Sequence, residues 1–144
     1  MAEHNPPRPQ TWQAAFELIR DRGHEHCAEP FRLASGQLSH DYIDGKYAVD
    51  TGERLALVSR AVAEAMAAGA LERSDAQLAV SITGFAGPGG EDDEEGLVHF
   101  ALADTTGALT HREEHFGPIG RDGVRIAALR AALDMLREKL DLSA

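Results

Sequence analysis

Residues 78–90 read Leu-Ala-Val-Ser-Ile-Thr-Gly-Phe-Ala-Gly-Pro-Gly-Gly, and they hold the clearest chemistry in the chain. An apolar run ends at Thr83 and gives way to Gly84, Gly87, Pro88, Gly89 and Gly90. A strand that stops at a glycine-rich turn leaves backbone N–H groups unpaired and unshielded. Such groups hold a phosphate or a developing oxyanion. Thr83, Gly84, Gly87, Gly89 and Gly90 are therefore candidate ligand-binding residues. Arg121 and Arg125 stand four apart where the last predicted helix opens. They share a face there, and the helix dipole adds to their attraction for an anion. These two form a candidate phosphate clamp.

Two other clusters carry chemical residue types. His24-Glu25-His26-Cys27 places metal-ligating side chains at alternate positions, but no second cluster completes a ligand set. It reads as a loop leaving a helix, and no metal is expected. Glu91-Asp92-Asp93-Glu94-Glu95 is a run of acids that reads as a solvated loop. Contiguous carboxylates do not converge on one cation without intervening turn residues.

The spacing of Trp12, Ala15, Phe16 and Ile19 predicts a helix to Arg22, with Thr11 as N-cap and Gly23 as C′ residue. Short β pieces are expected at 31–34 and 41–43. A second helix is predicted over 52–68, with Leu55, Val58, Val62 and Met66 on its buried face and Gly69 ending it. Residues 77–83 read as a strand buried on both faces. Residues 97–103 and 108–116 read as a hairpin turning at Asp104-Thr105-Thr106-Gly107. A final helix is predicted over 121–140, burying Val124, Ala128, Ala131, Met135 and Leu136. The fold class is α/β, a layered sandwich with a small mixed sheet flanked by helices.

A chain of 144 residues, 43% hydrophobic and 26% charged, is large enough for one globular domain with a real core. The net charge of −10 argues against a nucleic-acid-binding surface, which needs clustered Lys and Arg, and no nucleic-acid partner is expected. No apolar run reaches the roughly 18 residues of a membrane span, so no membrane partner is expected. Residues 1–10 are polar and Pro-rich, expected to be a disordered leader without a secretory core. The single cysteine, Cys27, fits a reducing cytoplasm.

The string Thr83-Gly84-Phe85-Ala86-Gly87-Pro88-Gly89-Gly90 closely resembles the signature of the CinA C-terminal domain family, the nicotinamide-nucleotide amidases. Gly96-Leu97-Val98-His99-Phe100-Ala101-Leu102 and Gly120-Arg121-Asp122-Gly123-Val124-Arg125 extend the likeness from about Val58 to the end. The resemblance implies hydrolysis of the carboxamide of nicotinamide mononucleotide, with no metal or organic cofactor. The family's nucleophile segment, A-E-S-C-T-G-G, and its Y-S-N-x-x-K segment do not occur here. Their nearest counterparts are Leu33-Ala34-Ser35-Gly36 and Tyr42-Ile43-Asp44-Gly45-Lys46. Tyr42 and Lys46 keep the family's Y-x-x-x-K spacing, and on a helix they would share a face. The resemblance thus assigns Ser35 as nucleophile, with Tyr42 and Lys46 as the partners that activate it.

Phe31-Arg32-Leu33-Ala34-Ser35-Gly36, continuing through Ser39 to Tyr42-Ile43-Asp44, resembles instead the opening of orotate-type phosphoribosyltransferases. Ala34 replaces the usual lysine, and the diphosphate-binding segment has only a faint echo at Asp104–Gly107. Two family likenesses therefore meet near Val58-Ser59 within a single α/β domain spanning 11–144. Three readings stand: an amidohydrolase of a pyridine nucleotide, active or inactive; a non-catalytic chimeric or truncated nucleotide-binding fold; a phosphoribosyltransferase-like protein. Each takes a small-molecule nucleotide as partner. An unpaired sheet edge predicts a homo-oligomer, a dimer in the simplest case.

Overall fold

Residues 10–88 and 94–140 are described by a computed structural model. The chain divides into two compact units that meet at Val58 and Ser59.

The first unit opens with α1 (Gln10–Gly23), followed by β1 (His24–Arg32), β2 (Leu38–Ile43) and a one-turn helix α2 (Gly45–Ala48). The two strands pair antiparallel, from His24 opposite Ile43 to Arg32 opposite Leu38. The ladder is irregular between His26 and Phe31, a stretch holding Pro30, which has no N–H to give. His24–Cys27 is thus strand, where a loop was expected. Helix α1 already includes Gln10, so Thr11 lies inside its first turn rather than capping it. Gly23 is the last helical residue and does not take the left-handed conformation expected of it. A Cβ there would stand 2.8 Å from the Asp44 carbonyl oxygen. Close backbone approach, not helix termination, requires glycine at this point.

The second unit holds the later part of α3 (Gly52–Glu72), then β3 (Leu78–Gly84), β4 (Leu97–Asp104), β5 (Leu109–His115) and α4 (Arg121–Lys139). The three strands form an antiparallel sheet in the order β3-β4-β5. The α/β class holds, with the strands in two antiparallel sheets where one mixed sheet was expected. The strand buried on both faces is β4, not residues 77–83, because β4 is central and β3 is an edge.

Alternation along β4 sorts the core. Val98, Phe100 and Leu102 meet Val124, Ala128, Ala132 and Met135 of α4 on one face. Fully buried Phe100 contributes roughly 1.5–3 kcal/mol there. The predicted apolar stripe of α4 is thus in place. Ala101 and Ala103 face the other way and pack on Ala63 and Ala67 of α3. The Ser81 hydroxyl, on that same face, donates to the Ala63 carbonyl at 2.6 Å.

Helix α3 therefore buries a different face from the one predicted. Ala61, Ala63, Glu64 and Ala67 are buried, whereas Leu55, Val62 and Met66 are exposed and Val58 is half-buried. Alanine against alanine brings helix and sheet close, and larger side chains would not fit between them. Gly69 does not end the helix, which runs on to Glu72.

The hairpin turns where expected. The Asp104 carboxylate accepts from Thr106 N at 2.8 Å, Thr106 Oγ1 at 2.5 Å and Ala108 N at 3.1 Å, and pairs with Lys139 at 2.5 Å. Lys139 and these donors hold its carboxyl well below the usual carboxylate range. The Asp-Thr-Thr-Gly string is a satisfied turn.

These contacts predict opposite outcomes on the two faces of α3. Ala67→Leu overpacks the helix–sheet contact and should cost about 1–3 kcal/mol. Met66→Ala, on the exposed face, should stay within about 0.5 kcal/mol. Urea unfolding midpoints of the two variants check the assignment, and a larger loss at Met66 would refute it.

Candidate functional site

The glycine loop begins one residue later than its sequence suggests. Thr83 pairs with His99 and Gly84 with Val98, so the ladder runs through Gly84. It then extends further, because Phe85 N donates to Leu97 O at 2.9 Å and Gly96 N to Phe85 O at 2.8 Å. The N–H groups expected to be free at the start of the loop are thus partly committed to the sheet. Gly84 is required by close approach, since a Cβ there would meet the Leu97 carbonyl and stand 2.7 Å from Val98 Cα. Gly87 has φ +77°, and the Glu95 side chain lies where its Cβ would be. The Gly87–Pro88 peptide is cis. Gly89, Gly90 and Glu91–Asp93 lie outside the described residues.

The opening of α4 is joined to this loop. Arg121 Nε donates to the Gly87 carbonyl oxygen at 3.0 Å. Gly120, the N-cap residue, has φ +78° and supplies no side-chain acceptor to the first helical N–H groups. Arg125 follows one turn later, exposed, on the same side as Arg121. The positive end of the helix, a guanidinium and the glycine loop therefore adjoin one another. Backbone donors and Arg side chains of this kind bind phosphate.

The residues assigned to amide hydrolysis do not come together within the first unit. Ser35 sits in the β1–β2 turn, closed by Gly36 N donating to Leu33 O at 2.9 Å. Tyr42 lies on β2 opposite Glu25, its ring edge-on to Phe31 at 5.9 Å. It lies four residue steps beyond Leu38, about 13 Å along β2. Lys46 lies on α2, not on a helix shared with Tyr42. The Asp44 carboxylate accepts from Lys46 N and Tyr47 N at 3.0 and 3.1 Å, so the helix starts after Tyr42. A cap signal at Asp44 overrides the Y-x-x-x-K spacing.

His24 and His26 both reach Asp41 Oδ1, at 3.0 and 2.9 Å, on the same side of the strand as their alternation predicts. Both histidines lower the Asp41 carboxyl, His26 more than His24. Among the described residues, no three His, Cys, Asp or Glu side chains are placed to hold a metal.

The second unit contains a polar cluster that the sequence reading passed over. Thr83, His99 and Glu113 lie directly opposite one another on β3, β4 and β5, a row on one face of the sheet. His99 is 1% exposed. Its Nδ1 is 3.2 Å from His111 Nε2 and 3.5 Å from Glu113 Oε2, and the two imidazoles stack at 5.4 Å. The Glu113 carboxylate, which only accepts, favours the proton on Nδ1 and thus Nε2 as the acceptor. That Nε2 is buried and makes no hydrogen bond among the described residues. A buried acceptor without a donor costs about 1–3 kcal/mol.

Burial holds His99 below its ordinary range, against an opposing pull from Glu113. Burial, then the Arg60 guanidinium, does the same at His111. His115 is pushed up by hydrogen bonds to Glu94 and Glu113, the latter at 2.9 Å. Glu94 is accordingly anchored to β5 rather than simply solvated. The signal for the cluster lay in an out-of-place histidine within the apolar strand 97–103.

With this geometry in view, comparison with known proteins settles the family. The model of the CinA C-terminal domain matches residues 50–140. The chain belongs to the CinA C-terminal domain family. A CinA-like protein of Synechococcus sp. (strain RCC307) is 45% identical over 91 residues, covering 61% of this chain and 22% of the relative. The chain thus spans under a quarter of the length of such relatives. Two solved structures are similar. The competence/damage inducible protein CihA from Agrobacterium tumefaciens shares 48% identity, with a TM-score of 0.51 over 54% of this chain and 48% of that one. The competence damage-inducible protein A of Klebsiella pneumoniae shares 32%, with a TM-score of 0.53 over 65% and 60%. The family match includes Thr83, the glycine loop, Arg121 and Arg125, and leaves out Ser35, Tyr42 and Lys46. No helix among the described residues is long and apolar enough to cross a membrane.

The histidines make stability depend on pH. The unfolded chain protonates His99 and His111 near pH ~6.5, above their lowered folded values. Their contribution is complete above that pH and is lost as pH falls below it. His115 has the opposite sign: its contribution is present below about pH 6.5 and fades as pH rises through its raised value. His99→Phe should therefore flatten the acid-side loss of stability, and His115→Gln should steepen it. Urea midpoints at pH ~7.5 and ~5.5 measure both slopes; parallel slopes in all three proteins would contradict the assignment.

Proposed function

We propose that the second unit binds a pyridine nucleotide, with its phosphate against the Gly84–Pro88 loop and the opening of α4. The observation that carries this reading is the Arg121–Gly87 hydrogen bond, which ties a cation and an uncapped helix start to the loop. Thr83 leads into that loop, and Arg125 adds a second cation one turn on. The family match supports the same ligand class, because it covers every one of these residues. Gly89 and Gly90 belong to the proposed site by sequence. Binding, rather than turnover, is the best-supported activity, since Ser35, Tyr42 and Lys46 stand apart within the first unit.

Hydrolysis of the carboxamide is the second reading, favoured by the likeness of the loop signature to the amidases. It needs a nucleophile, and Ser35 with Tyr42 and Lys46 remains the proposed set. Self-association belongs to either reading. Ile126, Leu129 and Leu133 line the outward side of α4, each more than half exposed, and β3 presents a sheet edge.

Nicotinamide mononucleotide should raise the melting temperature of the protein by mass action. Arg121→Ala should weaken its binding about tenfold or more, the worth of one charge-assisted hydrogen bond. Titration calorimetry reads the affinity, with phosphoribosyl diphosphate as the comparison ligand. No heat and no melting shift with the mononucleotide would end the proposal. Ammonia release, abolished in Ser35→Ala, would establish the amidase reading instead. Light scattering should report a dimer; a monomer at all concentrations would remove the self-association.

A further inference from the structure

We infer that His99 reads the amide of the bound ligand: its Nε2 accepts an N–H from the carboxamide of a pyridine nucleotide seated over Thr83. The inference rests on the nucleotide reading above and adds the group that distinguishes the amide from the acid form. Three observations carry it. His99 stands opposite Thr83 in the sheet, so their Cβ atoms lie about 4.5–5.5 Å apart on one face. Its Nδ1 faces His111 at 3.2 Å and Glu113 at 3.5 Å, and the carboxylate favours the tautomer that leaves Nε2 an acceptor. Its Nε2 is buried and makes no hydrogen bond among the described residues.

An acceptor of that kind is satisfied by an N–H donor and repels a carboxylate. The neighbouring charges reinforce the choice. Glu113 lies behind the ring on β5, and Glu94 approaches the same cluster through His115. Arg60 and Glu64 on α3 pair with each other at 2.8 Å and act on His111 from the helix side. A ligand carboxylate at Nε2 would face a lone pair backed by a carboxylate; a carboxamide faces an acceptor only. Sites built to hydrogen-bond one group discriminate strongly against the analogue that lacks it. At 1% exposure the ring is closed to solvent in the free chain, so ligand entry requires a local opening.

The test compares nicotinamide mononucleotide with nicotinate mononucleotide by titration calorimetry at pH ~7.5. The intact protein should bind the amide about tenfold tighter or better. His99→Phe should bind both within about a factor of two, and His99→Gln, which keeps an acceptor oxygen, should restore part of the preference. Equal affinities in the intact protein, or an unchanged preference in His99→Phe, would overturn the role of His99 while leaving nucleotide binding intact. Absence of binding by either ligand would overturn the nucleotide reading itself. Should His99→Phe fail to fold, the intact protein still decides the matter through its imidazole ¹⁵N resonances. Nε2 should appear unprotonated in the free chain and shift on adding the amide form. A protonated Nε2, or no shift with ligand bound, would refute the inference.

Discussion

The antiparallel pairing of β4 between β3 and β5 is the constraint on which the second unit depends. Both neighbours satisfy its backbone, both faces are buried, and its pleat sends alternate residues to opposite helices. Slipping the register by one residue would turn Phe100 toward α3 and His99 into the apolar core of α4. One register therefore sets three things at once. It fits Gly84 against Leu97 and Val98, aligns Thr83, His99 and Glu113, and lets α4 lie where Arg121 reaches Gly87.

Where local chemistry and tertiary packing agree, the chain can be read directly. The hairpin at Asp104–Gly107, the loop after β3 and the stripe of α4 all combine a turn or glycine signal with the right apolar period. Helix α3 could not be read this way. Its large apolar residues have helical spacing, yet its alanines face the sheet. Which stripe is buried depends on the partner surface, and Ala101 and Ala103 demand small neighbours. Hydrophobic periodicity does not carry that information. The same limit applies to β3 and β4: apolar runs of similar length do not reveal which strand is central.

The candidate site was legible in part. Its loop and arginines announced themselves by type and spacing, because glycines and cations have specific backbone and charge roles. Tyr42 and Lys46 do not share the helix their spacing allowed, for the converse reason. Spacing of four brings side chains together only inside a continuous helix, and Asp44 starts a new one between them. His99 gave the weakest signal, since its meaning depends on cross-strand partners separated by 12 and 14 residues in sequence. Only the register reveals that Glu113 and His111 hold its Nδ1.

A net charge of −10, with acids beside the loop in sequence, opposes phosphate binding. Charge far from a site is screened within about 8–10 Å at ordinary salt, so the local arrangement decides. Glu94 is paired with His115, whose proton that pairing stabilises. Arg121 turns toward the loop through Gly87, and the start of α4 carries no acidic N-cap. Glu94 is thus held by His115, while a guanidinium and the helix dipole stand beside the loop against the closer acids, Glu95 at Gly87 and Asp122 in the first turn of α4. The local balance of Arg121, Arg125 and the helix dipole against Glu95 and Asp122, rather than the net charge, therefore decides whether the candidate site can hold an anion.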